Sequence, residues 1–149
     1  MQRNSGRPRP RKRDASGSQS VTIESYLKKV TRRVSEHPLV LDVAVRGLQT
    51  SLNKGYTRLV ARLIDRSQLH VFEYVDSNLR KILYAYHYQD PEGHLIFRYD
   101  NEPHYPELAT FPHHKHLPEP GRPVESIEPS TETVLEEIAR SFARRRRRE

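Results

Sequence analysis

Residues 69–100, LHVFEYVDSNLRKILYAYHYQDPEGHLIFRYD, carry the pattern that decides the fold. Three runs rich in aromatic and branched side chains, 69–75, 79–88 and 94–100, are separated by short polar connections. The last connection contains Asp-Pro-Glu-Gly, residues 90–93, which is typical of a tight turn because proline presets φ and glycine ends the turn at little cost. Runs of this length joined by short turns predict antiparallel strands that follow one another along the chain.

The segments that precede this stretch extend the pattern towards the N-terminus. Two further runs, 39–48 and 56–64, are rich in Val and Leu and alternate in part, which predicts a five-stranded antiparallel meander in all. A helix is predicted over residues 22–36, where Thr22 is suited to cap the N-terminus. Its apolar stripe recurs at helical spacing and consists of Ile23, Leu27, Val30 and Val34.

The segments that follow predict a long loop and a second helix. Residues 101–129 hold seven prolines and little apolar content, so we expect a His/Pro-rich loop there. A helix is predicted over 130–143, capped by Ser130. The expected fold is therefore α+β, with both helices on one face of the sheet and the other face left for solvent or a partner. The residues expected to make that packing are Leu27, Val30, Leu135 and Ile138.

Positive charge is concentrated at the two ends of the chain. The net charge is +7, and residues 1–20 and 140–149 each hold six basic residues and one acidic residue. We expect a disordered basic tail over 1–20, a single domain over 21–143 and a second basic tail over 144–149. Such tails contact phosphates without reading sequence, although solvated tails or an acidic protein partner are alternatives. The candidate nucleic-acid-binding residues are Arg9, Arg11, Lys12, Arg13, Lys115, Arg144, Arg145 and Arg146.

The composition also excludes several classes of protein. The chain has no cysteine, which excludes a disulfide scaffold, Cys-ligated zinc and a thiol nucleophile. No apolar run approaches the ~20 residues that a membrane-spanning helix needs. We therefore expect no membrane partner and a cytoplasmic location.

Side chains that can carry chemistry are concentrated between residues 98 and 116. Four of the eight histidines fall within 104–116, and Arg98 and Asp100 share one face of the last predicted strand. RNA can be cleaved without a metal if a base activates the 2′-hydroxyl, an acid protonates the leaving oxygen and a cation stabilises the phosphate. The residues that we expect to converge for this chemistry are Arg98, Asp100, His104, His113, His114 and His116.

Two alternatives to this cluster stay open at this stage. A His-rich surface loop without chemistry is the interpretation that composition alone favours. A zinc site could form from His114 and His116 with Asp100 or His104, but the spacing matches no established metal motif. We therefore expect neither a metal nor another cofactor.

Two other features of the strands have an expected place in the fold. The three tyrosines of the run 84–88 share one strand face, and we expect them in the core rather than stacked on bases. Glu73 is either a carboxylate on the open face or the ion-pair partner of Arg62 or Arg98, and we expect the ion pair.

Five segments together resemble a known family. They are LHVFEYV (69–75), YAYHYQ (84–89), LIFRYDN (95–101), PH (103–104) and TFPHHKH (110–116), and they are similar to the TumE family over roughly residues 38–118. The resemblance implies a growth-inhibitory toxin that is neutralised by a helix-turn-helix antitoxin from the same operon. It leaves two classes of function: a metal-independent ribonuclease, or a non-catalytic inhibitor that binds nucleic acid or the ribosome. A homodimer is an open alternative to a monomer.

Overall fold

The computed structural model describes residues 20–149, in which two helices pack against an antiparallel sheet. The tail predicted over 1–20 lies outside the described residues, apart from Ser20. The same holds for four of its candidate phosphate contacts, Arg9, Arg11, Lys12 and Arg13.

The first helix, α1, spans Ile23–Ser35 and begins at a reciprocal cap. The Ser25 backbone N–H donates to Thr22 Oγ1 at 3.0 Å, and the Thr22 backbone N–H donates to Ser25 Oγ at 3.0 Å. These bonds satisfy two donors that would otherwise lack partners at the helix start. The predicted apolar stripe is buried, so it faces the sheet as expected.

The sheet is a meander in which every strand pairs antiparallel with the next one in the chain. Its strands are β1 (Val40–Thr50), β2 (Lys54–Leu63), β3 (Gln68–Asp76), β4 (Lys81–Gln89), β5 (Leu95–Asp100), β6 (His114–His116) and β7 (Val124–Glu125). The α+β class and the antiparallel topology are confirmed.

The predicted number of strands is wrong, because the described residues form seven strands rather than five. The two extra strands, β6 and β7, lie inside the segment 101–129 that was expected to be a loop. They are three and two residues long, so neither contains enough alternation to indicate a strand. Pairing with neighbouring strands stabilises them. β6 pairs with the end of β5, at Arg98, Tyr99 and Asp100, and β7 pairs with β6.

The two faces of the sheet differ sharply in burial. The core forms on the helix-covered face, and Tyr84, Tyr86 and Tyr88 are at most 2% exposed there. Val30 of α1 and Ile138 of the second helix belong to the same buried cluster, which confirms that both helices cover one face. Because side chains alternate along a strand, residues such as Arg98 and Asp100 lie on the opposite, open face.

The second helix, α2, spans Thr131–Arg146 and ends three residues later than the predicted limit at 143. Ser130 caps it as predicted, with its Oγ accepting from the Thr133 backbone N–H at 3.1 Å. The added turn is anchored by Arg145, whose guanidinium donates to Asp65 at 2.8 Å and to the Tyr88 hydroxyl at 2.5 Å. Arg145 is therefore part of the packed domain, although the charge pattern assigned it to a tail.

Glu73 lies in the core, so the prediction of an ion pair with Arg62 or Arg98 is wrong. Its side chain is fully buried and accepts a hydrogen bond of 2.6 Å from the Tyr26 hydroxyl of α1. Burial raises the pKa of this carboxyl, because the charged form loses its water. The β2–β3 register puts Glu73 opposite Thr57, and Arg62 instead pairs with Asp42.

Candidate active site

The open face carries a buried carboxylate surrounded by nitrogen atoms. Asp100 is 3% exposed, and Arg98 Nε donates to its Oδ2 at 2.9 Å. The backbone N–H of Glu102 donates to its Oδ1 at 3.1 Å. His114 Nε2 lies 2.9 Å from Oδ1, and His116 Nε2 lies 3.3 Å from Oδ2. Each carboxylate oxygen thus has two nitrogen neighbours, which offsets the cost of burying its charge.

His114 is held from both sides of its ring. Its Nδ1 lies 2.9 Å from the Pro112 carbonyl oxygen, and its Nε2 faces Asp100. Because both ring nitrogens lie within hydrogen-bond distance of an oxygen, these two contacts fix the orientation of the ring. The side chain is 1% exposed, so its place in the cluster is fixed by packing.

Arg98 and His116 form the accessible part of the cluster. Their side chains are 32% and 28% exposed, in contrast to the buried Asp100 and His114. Burial lowers the pKa of His116, and the Asp100 carboxylate acts in the opposite direction. A ligand on the open face can therefore reach a guanidinium and an imidazole that one carboxylate orients.

The strand register extends this cluster into a row across four strands. His70 on β3 is opposite His87 on β4, His87 is opposite Arg98 on β5, and Arg98 is opposite His116 on β6. Opposite residues in an antiparallel pair have Cβ atoms about 4.5–5.5 Å apart. Arg98 therefore lies between two imidazoles, those of His87 and His116. The four residues of this row are hereafter called the histidine row.

Sequence reasoning missed His70 and His87. Each lies on the open face, as Arg98 does, and its neighbours along the strand are buried. That alternation of polar and apolar residues is visible in the sequence. The sequence does not show the register in which β3, β4 and β5 pair. A shift of one residue would move each histidine to the other face of the sheet. Burial lowers the pKa of His70 and of His87, and Arg98 lowers that of His87 further.

Tyr105 is a second residue that sequence reasoning missed. Its ring centroid lies 5.4 Å from that of His114 and 6.3 Å from that of His116. Its φ is +62°, a left-handed conformation that is uncommon for a bulky residue and tends to occur at functional sites. No feature of the sequence indicates this conformation.

Two of the six predicted site residues do not join the cluster. His113 lies against the core, with its Nδ1 2.9 Å from the Tyr84 hydroxyl and its ring stacked on that of Tyr84. His104 is exposed and lies 3.3 Å from a carboxylate oxygen of Glu102. The expected convergence therefore holds for Arg98, Asp100, His114 and His116, and is wrong for His104 and His113.

Lys115 is also displaced from its predicted role. It alternates with His114 and His116 in β6, so it lies on the helix-covered face opposite Tyr99. Its Nζ is 2.5 Å from Glu137 of α2, and its side chain is 17% exposed. This ion pair holds the edge of the sheet against α2 and removes Lys115 from phosphate contact on the open face.

The donor atoms of Asp100, His114 and His116 all lie within 4.8 Å of one another, which is close enough to hold one metal ion. The hydrogen bonds that Asp100 already accepts compete with metal binding. The Asp100 oxygens accept hydrogen bonds from Arg98 and from the Glu102 backbone, and a cationic guanidinium opposes a second cation there. The arrangement as it stands suits anion binding and proton transfer.

Comparison with protein families gives a match over most of the chain. The family model described as Toxin TumE matches residues 28–144. The chain belongs to the TumE toxin family. The matched segment includes the whole sheet and the histidine row. Comparison with curated proteins and with solved structures found no match.

TumE membership makes this chain the toxin component of a toxin–antitoxin module, with a cognate antitoxin as its partner. Among residues 20–149, no helix is both long enough and apolar enough to cross a membrane.

Proposed function

We propose that this toxin is a ribonuclease that cleaves RNA without a metal ion. The proposed site lies where the Asp100 cluster, which consists of Arg98, Asp100, His114 and His116, adjoins His87 on the open face. The observation that supports this most is the place of Arg98 between His87 and His116 on the open face. A phosphate held by Arg98 would have one imidazole on each side. One base and one acid flanking a phosphate are what metal-free cleavage next to a 2′-hydroxyl requires.

His87 is suited to be the base. Its Nε2 lies 3.1 Å from the Gln89 side-chain oxygen, so that nitrogen carries the proton and Nδ1 keeps a lone pair. Burial and the neighbouring Arg98 lower its pKa, so the ring is neutral near pH 7. Both features favour proton abstraction over proton donation.

His116 is suited to be the acid. Burial lowers the pKa of His116, and the Asp100 carboxylate, 3.3 Å from its Nε2, opposes that lowering and orients the ring. Asp100 is itself fixed by His114 and Arg98, and therefore acts as a positioning residue. The two rings differ in that Asp100 opposes the effect of burial on the pKa of His116, and this difference favours His116 over His87 as the proton donor.

The proposed step balances without any further reactant. His87 takes the proton of the 2′-hydroxyl, and the 2′-oxygen forms a bond to phosphorus. The bond from phosphorus to the 5′-oxygen breaks, and His116 gives that oxygen a proton. The products are a 2′,3′-cyclic phosphate and a 5′-hydroxyl. Arg98 stabilises the charge on the phosphate oxygens during the step.

The remaining parts of the proposal concern partners. We propose that the antitoxin is a helix-turn-helix protein encoded beside the toxin, as the family resemblance implies. Arg144 and Arg146, which are exposed on the last turn of α2, are proposed to add phosphate contacts. These contacts would strengthen RNA binding without selecting a sequence.

The test is cleavage of a labelled single-stranded RNA by the purified chain in excess chelator. We expect wild type to cleave, and His87→Gln and His116→Gln to cleave about 10²–10⁴ times more slowly, since that is the usual contribution of acid–base catalysis. The matched control is His94→Gln, because His94 lies in the exposed β4–β5 turn beside Asp90. Loss of wild-type cleavage in chelator, or equal rates for all three variants, would refute the proposal.

A further inference from the structure

The open face holds a groove that continues from the histidine row towards β1. It has a volume of about 560 Å³ and crosses the sheet from Arg98 and His87 to Arg58 and Arg46. Three arginines on three different strands line it, and Glu102 is the acidic residue among the lining side chains. A groove with this charge balance is suited to a polyanion that lies across the strands.

A stacking platform lies in the same groove. Phe72 on β3 is half-buried, and the exposed Arg58 on β2 holds its guanidinium carbon 4.4 Å from the centre of the Phe72 ring. The outer side of a guanidinium held in this way offers a flat surface to a base. Only an unpaired base can reach it, because the bases of a duplex are stacked on one another.

The register relates this platform to the proposed cleavage site. Phe72 is opposite Ala85, and Ala85 is opposite Asp100, so the platform and the carboxylate lie on one cross-strand row. Two strand spacings separate them, which is about 10 Å. Ala85 leaves the floor between them low, since its side chain is a single methyl group. One strand of RNA can therefore contact the platform and the Arg98 side chain beside Asp100 with neighbouring nucleotides.

We infer that this groove binds single-stranded RNA, with a base stacked on the Arg58–Phe72 platform and a phosphate on Arg98. The inference rests on the proposed function for its choice of RNA, and it adds where the substrate lies and which form of it binds. It assigns the open face between β1 and β5 to the substrate rather than to the antitoxin.

The test measures binding separately from cleavage. The full chain carrying His116→Gln is titrated into a fluorescent single-stranded RNA, and anisotropy gives the Kd. Arg58→Ala and Phe72→Leu, each added to that chain, are expected to weaken binding at least about fivefold, in line with the loss of a base-stacking contact. An RNA duplex of the same length is expected to bind more weakly than the single strand.

The control is Arg62→Ala, which removes the same charge from the same face of β2. Arg62 pairs with Asp42 and does not line the groove, so its loss is expected to change the Kd less than twofold. Equal effects of Arg58→Ala and Arg62→Ala, or equal affinity for duplex and single strand, would overturn the inference. So would loss of antitoxin binding, with unchanged RNA binding, in Arg58→Ala.

The two proposals fail in different ways in this design. Groove-dependent RNA binding by a chain that never cleaves RNA would refute the ribonuclease and support the groove. Cleavage that Arg58→Ala and Phe72→Leu leave unchanged, together with unchanged RNA binding, would refute the groove and support the ribonuclease.

Discussion

At the scale of single residues, Asp100 holds the candidate site together. Its buried carboxylate has two nitrogen neighbours on each oxygen, three from side chains and one from the Glu102 backbone. Two of the three side chains, Arg98 and His116, are accessible to a ligand. A buried charge with these partners positions His116 and Arg98 at the same time. It also makes the site vulnerable, because loss of the carboxylate leaves the partly exposed Arg98 and His116 and the buried His114 without their shared partner.

Removing that charge is expected to cost stability as well as activity. Asp100→Asn is expected to lower the free energy of unfolding by about 3 kcal/mol, the usual cost of breaking a buried ion pair from one side. Urea denaturation measures it. The control is Asp42→Asn, which breaks the exposed pair with Arg62 and is expected to cost less than about 1 kcal/mol. Equal costs for the two variants would contradict the role given to Asp100.

The directions of the histidine pKa shifts predict the pH profile of cleavage. Burial lowers the pKa of His87 and of His116 from the ordinary value of 6.5. The free enzyme needs the base unprotonated and the acid protonated, so kcat/KM follows a bell centred midway between the two pKa values. The optimum of kcat/KM is therefore expected below pH 6.5. An optimum at pH 7 or above would show that other groups carry the proton transfer.

At the scale of elements, the local signals in the sequence were sufficient for the long strands and for the starts of both helices. Thr22 and Ser130 cap helices as predicted, and the turn after β4 contains the predicted Asp-Pro-Glu-Gly. The short strands β6 and β7 were missed because tertiary pairing, rather than local pattern, stabilises them.

The candidate site was predicted in part, for a related reason. Arg98, Asp100, His114 and His116 meet because β6 pairs with the end of β5. His113 directly precedes His114 in the chain, but its ring contacts Tyr84 in the core, whereas His114 contacts Asp100 on the open face. The face on which a side chain lies therefore decides whether it can join the site. His87 reaches the site through the register between β4 and β5, and a single sequence does not contain that register.

The last turn of α2 gives a test at this scale. Arg145→Ala is expected to lower the free energy of unfolding by about 1–3 kcal/mol, because it removes the guanidinium that donates to both the Tyr88 hydroxyl and Asp65 and leaves them only their contacts with Ser67. Thermal or urea denaturation measures the change. Arg144→Ala is the matched control, since Arg144 is exposed on the same turn and is expected to change stability by less than about 0.5 kcal/mol. Equal stability of the two variants would show that the contacts of Arg145 do not stabilise the domain.

At the scale of the whole molecule, the sheet separates stability from function. One face is covered by α1 and α2 and holds the core, whereas the other holds the Asp100 cluster, the histidine row and the groove. Because strand residues alternate, one sequence can supply both faces without conflict. Substitutions on the open face therefore test function with less risk to the fold, apart from the buried Asp100 and His114.

The family assignment predicts a behaviour of the intact chain in cells. Expression of the full chain is expected to slow growth, and co-expression of its cognate antitoxin is expected to restore it. His87→Gln expressed to the same level is expected to be harmless while still binding the antitoxin in a co-purification. Growth arrest by His87→Gln equal to that of wild type would separate toxicity from the histidine row.

The most direct test of the central claim is whether cleavage needs the 2′-hydroxyl next to the broken bond. The substrate is a single-stranded RNA with one 2′-deoxynucleotide at the position that wild type cleaves, compared with the all-RNA strand under the same chelator. We expect the single deoxy substitution to abolish cleavage at that position, and the all-RNA product to end in a 2′,3′-cyclic phosphate. Cleavage of the deoxy-substituted strand at the same position, or a product with a 3′-hydroxyl end, would contradict the account.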